Sequence, residues 1–254
     1  MQKEELQHQK RLIELSNISY QRNIATYSDF LNLNELNILH TTPKNMFPIP
    51  YETFGGYAYA ERQMVSFFPD ALYVSENPVE YPISLIRIVP LQKKFAESLT
   101  HRDYLGAVLN LGVERNKIGD IIVLEYEAIL FVHRKLTGFV MDELNRIRHT
   151  PVSTELIESQ EFNYTPEYKE ITSTVASVRL DSLLSLAFPL SRSKMTRLIE
   201  GAKVYVNGKL ITTNSYHVKE NDIISVRGMG KFAYRGILSA TKKGRYYVTI
   251  HKYI

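Results

Sequence analysis

The 254-residue chain contains no cysteine, which excludes disulfides, thiolate metal sites and cysteine nucleophiles. No apolar run approaches the roughly 18 residues that a membrane-spanning helix needs. The N-terminal Met1-Gln2-Lys3-Glu4-Glu5-Leu6 is too polar for a secretory signal. A cytoplasmic protein without membrane attachment is therefore expected. The histidines, at 8, 40, 101, 133, 149, 217 and 251, include no pair at metal-ligand spacing and no adjacent glutamate motif. No serine sits in a nucleophile elbow. Phe54-Gly55-Gly56-Tyr57 is followed by neither phosphate-loop spacing nor a lysine, so it reads as a turn between a strand and a helix at 60–67. No catalytic residue, metal or cofactor is expected.

Hydrophobic content of 44% is that of a globular chain, and the length suits one to three domains. The net charge of +4 is segregated. Residues 178–254 carry 14 Lys and Arg against 4 Asp and Glu, a net +10, while residues 1–177 carry 17 against 23, a net −6. A C-terminal third this basic is the electrostatic footprint of a polyanion partner. A membrane surface fits less well, because the basic helix there has no bulky apolar face beyond what its own core needs.

That helix is the second of two. Leu180, Leu183, Leu184, Ala187 and Phe188 make one apolar helical stripe, which Pro189 ends. The next helix opens at Ser191, a good N-cap, with Met195, Leu198, Ile199 and Ala202 as its buried stripe and Gly201 as its stop. Lys194 and Arg197 lie on the opposite face, and Arg192 and Lys194 occupy the first turn. Cations there cost stability unless an anion such as phosphate docks among them; a solvated basic face is the alternative. Alternating residues around Asn207-Gly208 then predict a hairpin, and 222–226 a further strand.

Arg179-Leu180-Asp181, Ser191-Arg192, Leu198-Ile199, Gly201, Val204, Val206-Asn207-Gly208 and Asp222 together resemble the RNA-binding domain named after small-subunit ribosomal protein four. The resemblance implies a basic face for structured RNA on Arg179, Arg192, Lys194, Arg197 and Lys203, with Asp181, Ser191 and Asn207 completing the set. Beyond it, 232–238 and 245–250 predict a second hairpin. Its tip combines Lys242, Lys243 and Arg245 with Tyr246 and Tyr247, and Lys231 precedes it. Basic residues among aromatics suit nucleic acid, and a solvated turn over a Tyr-rich sheet is the alternative.

The fold class expected is α+β, with the chain divided into an N-terminal α+β domain (1–78), a ferredoxin-like domain of RNA-binding type (79–163), a Ser/Thr-rich linker (164–177), of which Ile171 to Val175 could instead pair with the last domain, and the basic domain with its hairpin (178–254). In the first domain, residues 1–22 read as a surface helix and 27–39 as a second helix capped by Ser28. The middle domain follows from the order strand 83–89, helix 100–111, strands 121–124 and 128–132, helix 135–148, strand 152–157. No paired aromatics lie at recognition-motif spacing on its central strands.

His101-Arg102-Asp103-Tyr104-Leu105-Gly106-Ala107, Leu111-Gly112 and Ile118-Gly119-Asp120-Ile121, with Ala60-Glu61-Arg62 upstream, resemble the YlmH-type bacterial proteins, which share this domain order. What that family implies is RNA binding on the ribosome, associated with rescue of obstructed large subunits carrying peptidyl-tRNA, some members being linked by genetic context to cell division; a monomeric, non-catalytic protein with rRNA, tRNA and the large subunit as partners is expected. His101 and Arg102 could contact RNA, or could join Asp103 in capping a helix and forming a local salt bridge. Of the enzymes that carry the same RNA-binding module, pseudouridine synthases place a catalytic Asp after Arg-Leu, but here Ser182-Leu183-Leu184 continues an apolar helix. The motifs of methyltransferases and tyrosyl-tRNA synthetases are missing.

Overall fold

The computed structural model describes residues 3–69, 80–158, 162, 164–241 and 244–254. The chain divides into two units, Met1–Tyr164 and Thr165–Ile254.

In the first unit, α1 (Lys3–Arg22) buries Leu12 and Leu15 against α2 (Leu33–Thr41). A three-stranded sheet beside them has the order β1-β3-β2, from β1 (Thr26–Tyr27), β2 (Tyr51–Phe54) and β3 (Met64–Phe67). Two expectations change here. The second helix starts at Leu33, because Asn32 and Glu35 form a reciprocal capping box; the Ser28 hydroxyl instead accepts the Val65 N–H at 3.0 Å. The helix expected over 60–67 is the strand β3, whose four residues are all buried. Met64-Val65-Ser66-Phe67 is a central strand covered on both faces, and a short apolar run of that kind has no strand-specific period.

The chain continues through β4 (Ile83–Pro90), α3 (His101–Asn110), β5 (Ile118–Val123), β6 (Ala128–His133), α4 (Thr137–Glu143), β7 (Arg146–Ile147) and β8 (Thr150–Ile157). The strands form an antiparallel sheet in the order β5-β6-β4-β8-β7. The helix expected over 135–148 is shorter, because Arg146 and Ile147 turn back to pair with Pro151 and Thr150. Residues alternate between two cores. Ile86, Ile88, Leu130 and Val132 pack with Tyr104, Val108 and Val140 of the helices, whereas Leu85, Ile129 and Phe131 pack with Phe30 and Met64 of the N-terminal segment. The expected boundary at 78/79 lies outside the described residues, but on either side of it the two segments share that second core.

Polar contacts tie the same segments together. The Arg62 guanidinium donates to the carbonyls of Ile118 (2.9 Å), Phe30 (3.0 Å) and Arg115 (3.2 Å). The Asp120 carboxylate accepts from the Tyr57 hydroxyl (2.9 Å) and from the N–H groups of Glu61 (2.8 Å) and Arg62 (3.1 Å). Gly119 lets the segments approach, since a Cβ there would stand 2.7 Å from the Phe30 ring.

The second unit is one antiparallel sheet covered by two helices. Its strands are β9 (Tyr168–Val175), β10 (Val204–Val206), β11 (Lys209–Leu210), β12 (Ile223–Val226), β13 (Gly230–Ala240) and β14 (Tyr246–Tyr253), in the order β11-β10-β12-β13-β14-β9. The expected linker 164–177 is corrected by β9, which pairs with β14 from Tyr168↔Tyr253 to Val175↔Tyr246. Its Ser and Thr residues read as linker composition, yet Ile171 and Val175 reach the core and Thr suits a half-exposed strand. Helices α5 (Leu180–Ala187) and α6 (Arg192–Glu200) bury Leu180, Leu183, Leu184, Ala187, Met195 and Ile199 against Val204, Ile224, Phe232 and Val248.

Candidate nucleic-acid interface

The outer face of α6 follows from its inner one. With Met195 and Ile199 in the core, the 3.6-residue period turns Lys194 and Arg197 outward. Both are exposed, as is Lys203 just beyond the helix. Arg192 is the first residue of the helix. The Ser191 hydroxyl caps the N-terminus, accepting the Lys194 N–H at 3.4 Å. Neither Lys194, Arg197 nor Lys203 makes an ion pair or side-chain hydrogen bond to a described residue. Of the three, Lys194 stands in the first turn, where the helix's own partial charge is positive and an anion stabilises the arrangement, whereas Arg197 lies in the last turn and Lys203 beyond the C-terminus.

The helix ends differently from expectation. Ala202 is exposed, with φ 55°, so the left-handed residue follows Gly201, which has φ −79°. Gly201 serves close approach: a Cβ there would lie 2.5 Å from the Arg197 carbonyl oxygen.

Other expected site residues are engaged inside the chain. Arg179 holds Asp181 through both carboxylate oxygens, Nε to Oδ1 at 3.1 Å and Nη2 to Oδ2 at 2.9 Å; Oδ1 also accepts the Ser182 N–H at 2.9 Å. Asn207, at φ 48° in the hairpin turn, donates Nδ2–H to Asp222 Oδ1 at 2.8 Å and accepts the Ile223 N–H at 2.8 Å. Lys231 lies over the Tyr253 ring. Arg245 donates to the Thr174 carbonyl at 2.8 Å, beside exposed Ile237, Leu238, Tyr246 and Tyr247. Lys242 and Lys243 lie outside the described residues.

His101 and Arg102 belong to the first unit, as the opening residues of α3. Burial and the nearby Arg115 hold the His101 imidazole below its usual pKa, with Asp120 opposing them. Asp103 does both structural jobs envisaged for this segment. It closes a capping box with Thr100, accepting its N–H at 2.8 Å and its hydroxyl at 2.7 Å, and pairs with Arg148 at 2.9 Å. The two Thr100 hydrogen bonds, helped by Arg148, hold the Asp103 carboxyl below the usual carboxylate range.

Arg227 joins this face without having been expected there. Its N–H donates to the Lys203 carbonyl at 2.9 Å and its guanidinium to the Tyr205 hydroxyl at 3.1 Å, which adds a cation at the edge of the α6 face. The turn-like Arg227-Gly228 context hides it in the sequence, although its place between strand 222–226 and Gly228 marks it as a strand terminus. Among the described residues no group of three potential metal ligands converges, and no helix is long and apolar enough to cross a membrane.

Two short helices feeding an Asn-Gly hairpin, with unpaired cations on the second helix, define the class of module to which the second unit belongs: residues 178–224 match the S4 domain family. Residues 77–161 match the family described as "Putative RNA-binding domain in YlmH". "Ribosome-associated protein quality control protein P2" of Bacillus subtilis (strain 168) is 32% identical over 226 residues, covering 89% of this chain and 86% of that protein. The solved structure of "Cell division protein ylmH from Streptococcus pneumoniae" aligns with a TM-score of 0.51 and 27% identity over 63% of this chain and 95% of that one. The chain belongs to the YlmH family.

Proposed function

We propose that this protein is a non-catalytic, cytoplasmic RNA-binding factor that acts as a monomer on the large ribosomal subunit, contacting rRNA and tRNA during rescue of stalled translation. The observation that carries this reading is the set of unpaired cations, Lys194, Arg197 and Lys203, on and just beyond α6. It is supported by the name of the Bacillus subtilis relative. The order β5-β6-β4-β8 of the middle sheet supports reading that segment as ferredoxin-like, an architecture shared by many RNA-recognition modules. A catalytic role for Asp181 is disfavoured, because both of its oxygens are taken by Arg179 and the Ser182 N–H.

The test is sedimentation of the full-length protein against separated subunits and stalled large-subunit complexes. The expected result is co-sedimentation with large subunits holding tRNA. The double reversal Arg192→Glu/Arg197→Glu is expected to weaken association more than about tenfold, since each charge-assisted phosphate contact is worth roughly 1–3 kcal/mol. Preference for free small subunits, or a folded double variant of unchanged affinity, overturns the reading. The name of the Streptococcus pneumoniae structure favours a second reading as a cell-division interaction protein; that reading requires protein partners that persist after nuclease treatment.

A further inference from the structure

An open cleft of about 530 Å³ lies between α3 and the turn that joins α4 to β7. Arg102, Gly106 and Asn110 line one wall, one helical turn apart, and Asn145 and Arg146 stand among the residues of the other. Asp103, paired with Arg148 at 2.9 Å, links the two walls.

Gly106 is the informative residue. Glycine in a helix interior is among the least favourable choices, and it is usually retained where a neighbour packs against the missing side chain. Here a Cβ would meet nothing within 4 Å. No described residue packs against the position, and the effect of the glycine is to leave a saddle in the cleft wall between Arg102 and Asn110.

The side chains around the saddle are equally uncommitted. Arg102, Asn110, Asn145 and Arg146 are exposed, and their side chains make no hydrogen bond or ion pair with a described residue. Asp103 is paired with Arg148 and accepts hydrogen bonds from Thr100, and Glu143 is the other acid of the lining. Two guanidiniums and two amides, uncommitted among the described residues, face a gap whose lining also includes Ala107 and Leu111. Guanidiniums bind phosphate in a forked geometry, carboxamides can bond 2′-hydroxyls, and a wall without a side chain admits a sugar–phosphate backbone.

We propose that this cleft is a second RNA-binding site, in which an RNA backbone lies across Gly106 with its phosphates held by Arg102 and Arg146. The proposal rests on the reading of the protein as an RNA-binding factor, and adds a site on the unit whose net charge alone does not announce one.

The test uses the full-length protein, protein-free large-subunit rRNA as probe, and filter binding across a salt series. Gly106→Gln fills the saddle with a better helix former, so it is expected to raise the melting temperature while weakening binding about fivefold. Arg102→Glu/Arg146→Glu is expected to weaken binding more than tenfold and make the slope of log K against log salt shallower by about 1.4–1.8, at about 0.7–0.9 for each phosphate that is no longer neutralised. If Gly106→Gln does not fold, the double variant decides. Folded cleft variants that bind within twofold of wild type overturn the proposal. So does unchanged affinity for naked rRNA combined with failure to associate with whole subunits, which would assign the cleft to a ribosomal protein. Arg197→Glu, measured in parallel, separates the two readings: if it alone weakens binding, the α6 face stands and the cleft fails, whereas the opposite pattern retains the cleft and removes the α6 face.

Discussion

The Asn207 amide and the Asp222 carboxylate meet at 2.8 Å, and this bond joins the first hairpin turn to the strand beside it. Asp222 is 8% exposed, and its other oxygen accepts the Lys219 N–H at 2.7 Å. The Asn207 side-chain oxygen takes the Ile223 N–H, so both motif residues are consumed by structure. Asp222→Ala removes two part-buried hydrogen bonds to a carboxylate, whose donors on Asn207 and Lys219 belong to exposed residues, and is expected to cost about 1–3 kcal/mol, measured by urea denaturation. At temperatures where the variant is folded, its RNA affinity should match wild type. A stable variant with much weaker affinity would return Asn207 to the RNA interface and add Asp222 to it.

The contrast between local and long-range signals explains how much of the molecule is legible in its sequence. The apolar stripe from Leu180 to Phe188 and the Asn207-Gly208 turn carry their own period and turn chemistry, and both are where that chemistry puts them. Strand β9 is only partly legible: Ile171 to Val175 offer a candidate strand, but the partner β14 lies 71 or more residues away along the chain, as in Val175↔Tyr246, and no local signal identifies that partner or extends the strand back to Tyr168. Arg62 stands out in the sequence only as part of a resemblance. Its role depends on carbonyls of Phe30, Arg115 and Ile118, which no spacing brings together. At the site, exposure of Lys194 and Arg197 is legible from helix period, whereas the commitment of Arg179 to Asp181 depends on side-chain geometry that the sequence leaves open.

The end of α6 gives a stability prediction. Ala202 holds φ 55°, a region in which an L side chain is strained and glycine is not. Ala202→Gly is expected to stabilise the protein by about 0.5–1 kcal/mol, part of the relieved strain being offset by the greater entropy of glycine when unfolded. Gly201→Ala should act in the opposite direction, because its Cβ collides with the Arg197 carbonyl. Thermal melts of the two variants check both signs; a destabilised Ala202→Gly would contradict the assignment of the left-handed position.

Histidines give the first unit a pH dependence. Burial lowers the pKa of His8, with Glu35 opposing it, and burial also lowers that of His133, helped by Lys117 and opposed by Asp29. His8 Nε2 is buried without a hydrogen-bond partner among the described residues. As pH falls through the unfolded value of about 6.5, the unfolded chain takes up protons that the folded chain resists. Stability therefore rises with pH across this window. It is complete above the unfolded pKa and declines below it until the folded groups also titrate. Denaturation of the full-length protein between about pH 8 and 5 should show this decline, and His8→Leu should flatten it. A stability that is level or rises toward pH 5 would refute the sign.

The arginines of the second unit should not contribute equally to RNA binding. Arg197 is exposed and makes no ion pair with a described residue, whereas Arg179 holds Asp181 with two hydrogen bonds. A phosphate approaching Arg179 must compete with a carboxylate already seated in the guanidinium fork, and the negative charge of Asp181 adds repulsion at that point. Arg197 offers all of its donors at no such cost. Arg197→Ala is therefore expected to make the salt slope of rRNA binding shallower by about 0.7–0.9, as one phosphate fewer is neutralised. Arg179→Ala should leave the slope close to wild type. Asp181→Asn supplies the sharper arm: it weakens the hold on Arg179 and removes the repulsive charge, so it should tighten binding at low salt, with the effect fading as salt screens it. Filter binding with protein-free large-subunit rRNA over a salt series measures all three. Equal weakening by Arg179→Ala and Arg197→Ala, with no tightening by Asp181→Asn, would show that the Arg179–Asp181 pair opens on binding and that Arg179 contacts RNA as fully as Arg197.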